Sequence, residues 1–156
     1  MKRFFTFGAL AATAILLAFA LTGCDNEDKD STPIGITDIN YNVGSGGEVA
    51  VYKGTNPTNN LTETITFFKD KHFREDLSGT FKTETNTYIL DFTASYGEYN
   101  GDPTESGDVI LTLERSRVFA EGNIVDNTSS ISNPNITMKI TANVATIGPI
   151  QLTKVQ

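Results

Sequence analysis

The chain has 156 residues, 38% of them hydrophobic, which is one domain's worth and enough to bury a real core. Its formal charge of −7 and pI near 4.6, with no basic stripe, exclude a protein that holds phosphate backbones. A single Cys and a single His exclude disulfide stapling and leave few side chains for nucleophilic or acid–base work.

The first element is a basic start, Lys2-Arg3, followed by an apolar run from Phe4 to Leu21 and then Leu21-Thr22-Gly23-Cys24. A secretory signal needs a charged start, an apolar helix and a small-residue exit, and all three are present. The sole thiol stands at that exit. The alternative is a retained membrane helix, because the run is close to the ~20 residues that a span needs. The Leu-Thr-Gly-Cys ending resembles the lipobox of bacterial lipoproteins, in which the Cys is cleaved before and acylated. That resemblance implies a signal peptide over residues 1–23, lipidation at Cys24, and a membrane anchor of two or three acyl chains. Each buried methylene contributes roughly 0.8 kcal/mol, so such an anchor does not let go. Without its first 23 residues the chain carries ten basic against 19 acidic side chains, a formal charge of −9.

Asp25-Asn26-Glu27-Asp28-Lys29-Asp30 follows, polar and charge-dense. Such a segment buries no apolar surface and reads as a disordered tether over residues 24–34, able to span roughly 30 Å. An acidic run behind an acylated Cys resembles the export signal of surface lipoproteins in Bacteroidetes and spirochaetes. An Asp directly after the Cys resembles an inner-membrane retention signal of enteric bacteria. The expected location is the cell envelope, with the outer membrane favoured over the inner.

From residue 35 to 156 the period is two. Strands are expected near Ile36–Val43, Glu48–Tyr52, Leu61–Phe67, His72–Leu77, Thr80–Thr85, Thr87–Tyr99, Val109–Leu113, Ile136–Val144 and Ile150–Val155. Tyr88, Leu90, Phe92, Ala94 and Tyr96 alternate with Ile89, Asp91, Thr93 and Ser95, and Ile136, Met138, Ile140, Ala142 and Val144 with Thr137, Lys139, Thr141 and Asn143. One face of each strand meets a core and the other is wet. Gly44–Gly47, Lys53–Asn60, Asp70-Lys71, Asn100–Asp108, Asp126–Asn135 and Gly148-Pro149 read as the connections. One short helix is allowed near Arg115–Gly122. Eight or nine strands joined by short loops predict an all-β domain, a small antiparallel meander barrel, with a two-sheet β-sandwich as the alternative.

Ile65-Thr66-Phe67-Phe68-Lys69-Asp70-Lys71-His72-Phe73, then Ser78-Gly79-Thr80-Phe81, resembles the hairpin of small lipocalin-like lipoprotein domains. Lys71 stands where that pattern has glycine. Tyr96–Asp108 resembles a strand–loop segment of small spirochaete lipoproteins. The resemblance implies a barrel and carries no catalytic residues.

Chemistry-bearing residues are sparse. His72 reads as a solvated turn residue. Asp102, Glu105 and Asp108 share a loop, but without the spacing of a calcium loop. Tyr96 and Tyr99 have opposite parity, so one is expected in the core and one outside. No metal site, no cofactor and no enzyme activity are expected. The expected function is a membrane-anchored, non-catalytic binding domain whose partner is another protein or a matrix component, met by loops Lys53–Asn60, Asn100–Asp108 and Asp126–Asn135. The first alternative is a carrier of a small apolar ligand, lined by Phe67, Tyr88, Leu90, Phe92, Leu111, Met138 and Ile140, which otherwise fill the core. A protease inhibitor or an envelope structural protein is the third reading.

Overall fold

Alternating burial runs through most of the ten strands in the computed structural model, which describes residues 32–37, 41–120, 122–126 and 134–156. The strands are β1 (Ile34–Thr37), β2 (Glu48–Thr55), β3 (Thr62–Phe68), β4 (His72–Lys82), β5 (Thr87–Asn100), β6 (Gly107–Ala120), β7 (Asn123–Asp126), β8 (Asn135–Thr141), β9 (Val144–Ile147) and β10 (Ile150–Lys154). Along β8 the pattern is strict: Ile136, Met138 and Ile140 are buried, while Thr137, Lys139 and Thr141 are exposed. The expected signal segment, residues 1–23, the expected lipidation site Cys24 and the run to Asp30 lie outside the described residues.

The strands pair in the order β5-β4-β3-β2-β10-β9-β8-β6, and β6 pairs back onto β5. The result is a closed, eight-stranded antiparallel barrel, a lipocalin-like architecture, with β1 and β7 added outside the ring. Closure rules out the sandwich alternative, because β2–β10 and β5–β6 pairings join what would otherwise be sheet edges. β7 pairs with the far end of β6, and β1 runs parallel to β5, with Ile34 opposite Tyr88 and Thr37 opposite Asp91.

Several boundaries differ from the sequence expectation. No helix forms over Arg115–Gly122: β6 continues to Ala120, and its Val118 and Phe119 lie opposite Val125 and Ile124 of β7. Phe119 is buried and Val118 only half-buried, the period of a strand. The two expected strands around Ser78-Gly79 are one strand, β4, paired with β5 without a break there. Ile136–Val144 is instead two strands, because Ala142 takes a left-handed φ of 55° and turns the chain. The first strand starts and stops earlier than expected, so Ile34, read as the last tether residue, opens β1. β2 reaches Thr55, which shortens the Lys53–Asn60 loop.

Antiparallel alternation assigns each connection to one rim. Residues 56–61, 83–86 and 148–149, with the start of β1, lie at one rim; residues 69–71, 101–106 and 142–143 lie at the other. Asp126 of β7 and Asn135 of β8 lie opposite Arg117 and Thr112 of β6, and residues 127–133 between them lie outside the described residues. Of the loops expected to carry contacts, residues 56–61 and 101–106 therefore lie at opposite rims. The physical reason is the meander itself, in which successive hairpins alternate ends.

The second rim is closed by its own loop. Pro103 is buried, and its carbonyl accepts a hydrogen bond from Tyr52 Oη at 2.7 Å. Lys71 Nζ donates to the Gly101 carbonyl and Lys154 Nζ to that of Thr104, both at 3.4 Å.

Candidate functional site

The interior apolar residues fall into two clusters. One holds Ile65, Phe67, Phe73, Tyr99, Leu111, Met138 and Ile140 toward the closed rim. The other holds Leu61, Leu77, Tyr88, Leu90, Phe92 and Phe119 toward the rim where β1 begins. The seven residues expected to line a cavity or fill a core thus divide four to three, and all are at most 9% exposed.

A polar layer separates the clusters on four successive strands. On β3, Glu63 sits between Leu61 and Ile65; on β4, Glu75 sits between Phe73 and Leu77. Glu75 lies opposite Ser95 of β5, and Ser95 lies opposite Ser116 of β6. Cross-strand partners share a face, so the four polar residues face the interior with the apolar ones. All four are at most 3% exposed, and Asn56, the first residue after β2, is buried beside Glu63.

Burial raises the Glu63 pKa to about 7, with Glu75 and Asn56 pulling partly the other way. Glu75 is raised well above the usual carboxylate range, first by burial and then by the charge of Glu63. Ser95 Oγ donates a short hydrogen bond to Glu75 Oε2. Both oxygens of Glu63, Oε1 of Glu75 and Nδ2 of Asn56 have no hydrogen-bond partner of standard geometry. Two carboxyls this close in a low-dielectric interior cannot both ionise cheaply, so the pair keeps a proton near neutral pH.

This pair was legible in one respect. Glu63 has the parity of Leu61, Ile65 and Phe67, which places a carboxyl on the apolar face. Glu75 has the parity of Phe73 and Leu77 in the same way, although it stands directly between the charged residues Arg74 and Asp76.

Outside the barrel, Arg74 Nε pairs with Asp76 at 2.8 Å, and Asp76 accepts from Thr93 Oγ1 at 2.8 Å. Arg117, only 6% exposed, donates to the Thr93 carbonyl, and its guanidinium lies 4.5 Å from the Tyr41 ring. Arg115 donates to Tyr41 Oη at 2.8 Å and pairs with Asp126 at 3.0 Å. Tyr96 packs against Tyr41 at 5.2 Å on this outer face, and Tyr99 packs inside against Phe67 at 4.9 Å. The two tyrosines separate as parity requires.

His72 opens β4 opposite Glu98. Asp102 spends Oδ1 on Thr104, accepting from its N at 2.8 Å and its Oγ1 at 2.6 Å. Among the described residues, the group that meets metal-ligand spacing is not in that loop; it is His72, Glu98 and Glu114.

The fold and its interior define a closed, lipocalin-like β-barrel with a buried carboxyl pair. Compared with protein-family models, curated proteins and solved structures, the chain matches none of them.

Proposed function

We propose that this chain is a lipid-anchored, non-enzymatic binding protein of the bacterial cell envelope, exported by residues 1–23 and acylated at Cys24. Its partner is another protein, met at the rim closed by residues 101–106. One observation carries the placement: β1 runs parallel to β5, so the chain enters the barrel at the rim opposite that loop. An anchor upstream of Ile34 would join the barrel at the rim away from residues 101–106, which supports that loop as the free contact face. The filled, two-cluster interior supports contact through the outer surface over carriage of an apolar ligand.

Two measurements test this reading. Palmitate labelling and detergent-phase partitioning are expected for the native chain and lost in Cys24→Ser. A photo-crosslinker at Glu105 should trap a protein partner in the envelope, and one at Thr85, on the other rim, should not. A chain that stays in the membrane without labelling, or adducts only from Thr85, overturns the reading.

A further inference from the structure

We infer that the outer wall of the barrel carries a binding site for one divalent transition-metal ion of the zinc class, formed by His72, Glu98 and Glu114 on three adjacent strands. His72 and Glu98 are directly opposite on β4 and β5, and such pairs stand close enough to share a ligand. Glu114 joins them through a β-bulge. Gly97 is opposite Leu113 while Tyr96 is opposite Arg115, so Glu114 is the extra residue on β6. A bulge re-aims its side chain, and this one turns Glu114 toward Glu98 and His72. The backbone is shaped for it: a Cβ at position 97 would collide with the Thr112 carbonyl and with the Glu114 amide. Only glycine lets β6 approach this closely.

One ligand atom from each of the three residues lies within 4.8 Å of the others. A zinc ion held at about 2.0–2.2 Å by N and O ligands needs them somewhat closer. Flexible glutamate side chains on an exposed wall supply that movement. The second observation is at the imidazole. Nδ1 of His72 lies 3.4 Å from Asp70 Oδ1, and the other Asp70 oxygen is fixed by Ser45, from N at 2.6 Å and Oγ at 2.9 Å. The contact has an ion pair's distance but not a hydrogen bond's geometry, and Nδ1 is a buried nitrogen without a hydrogen-bond partner. Glu98 and Glu114 take part in none of the ion pairs among the described residues. Two carboxylates converging on an imidazole without a cationic partner form a site that a divalent ion completes. One nitrogen and two carboxylates suit zinc better than calcium or magnesium, which prefer all-oxygen shells. Three protein ligands leave a coordination position for water or for a donor from a partner.

The test uses the full-length protein in detergent, stripped with a chelator and titrated calorimetrically with ZnCl2, with CaCl2 and MgCl2 as comparisons. One equivalent of zinc should bind saturably, and its affinity should fall at least tenfold in His72→Ala and in Glu114→Gln. His72 is the only histidine, so a zinc-dependent shift of imidazole NMR resonances reports this site alone. Repeating the titration in Cys24→Ser removes any contribution from an unacylated thiol, so the result does not depend on the anchor. Absence of saturable uptake, uptake unchanged in His72→Ala, or calcium binding as tightly as zinc would overturn the proposal.

Discussion

Glu63 and Glu75 are diagonal neighbours on β3 and β4, buried together between two apolar clusters that their strands also supply. Both hold their protons more tightly in the fold than in an unfolded chain. The folded state therefore binds more protons, and stability falls as pH rises. The contribution is fully present below about pH 4.5 and is lost as pH climbs through about 7 and beyond. Thermal melts should show a lower Tm at pH 8 than at pH 5, and Glu63→Gln should flatten that slope. A Tm that rises over this interval would show that the pair ionises freely.

Leu90 is 1% exposed and lies opposite Gly79 within the cluster nearer the entry rim. Leu90→Trp should destabilise the barrel by about 1–3 kcal/mol, because a filled core has no room for the larger ring. Phe67→Ala should cost about 3–5 kcal/mol. Denaturant unfolding measures both. A tolerated Leu90→Trp, together with an extra mass on the native protein in native mass spectrometry, would favour a ligand-carrying interior.

Gly97→Ala places a methyl against the Thr112 carbonyl and the Glu114 amide. These are backbone atoms, so the bulge itself must move. The expected loss is at least about 1–3 kcal/mol in denaturant unfolding, larger than for Gly35→Ala, where a Cβ meets nothing within 4 Å. Equal effects at the two positions would mean that the bulge is not tightly packed.

Tyr52 sends its hydroxyl from the core to the Pro103 carbonyl. Tyr52→Phe keeps the ring and removes that bond, which costs about 1–2 kcal/mol with a buried carbonyl left unpaired. Amide exchange should quicken in residues 101–106 before it does elsewhere. Uniform protection in the variant would show that the loop is held by other contacts, such as those of Lys71 and Lys154.

The sequence by itself determined the all-β class, most strand positions and the barrel-like meander. A strand with one wet face must alternate, and Ile136, Met138 and Ile140 could only be read one way. It misplaced residues 115–120 and the turn at Ala142, because short mixed runs carry no strong period and a left-handed alanine leaves no compositional mark. Tertiary structure alone decided the rest. Closure of β5 on β6, the parallel pairing of β1, and the distribution of loops between two rims depend on contacts between residues far apart in the chain. The same holds for both polar groupings. Glu75 meets Glu63 through the register of two strands, and Glu114 meets His72 only because a bulge over Gly97 shifts a third. Local pattern states which face a residue takes; only strand register states which residues share it.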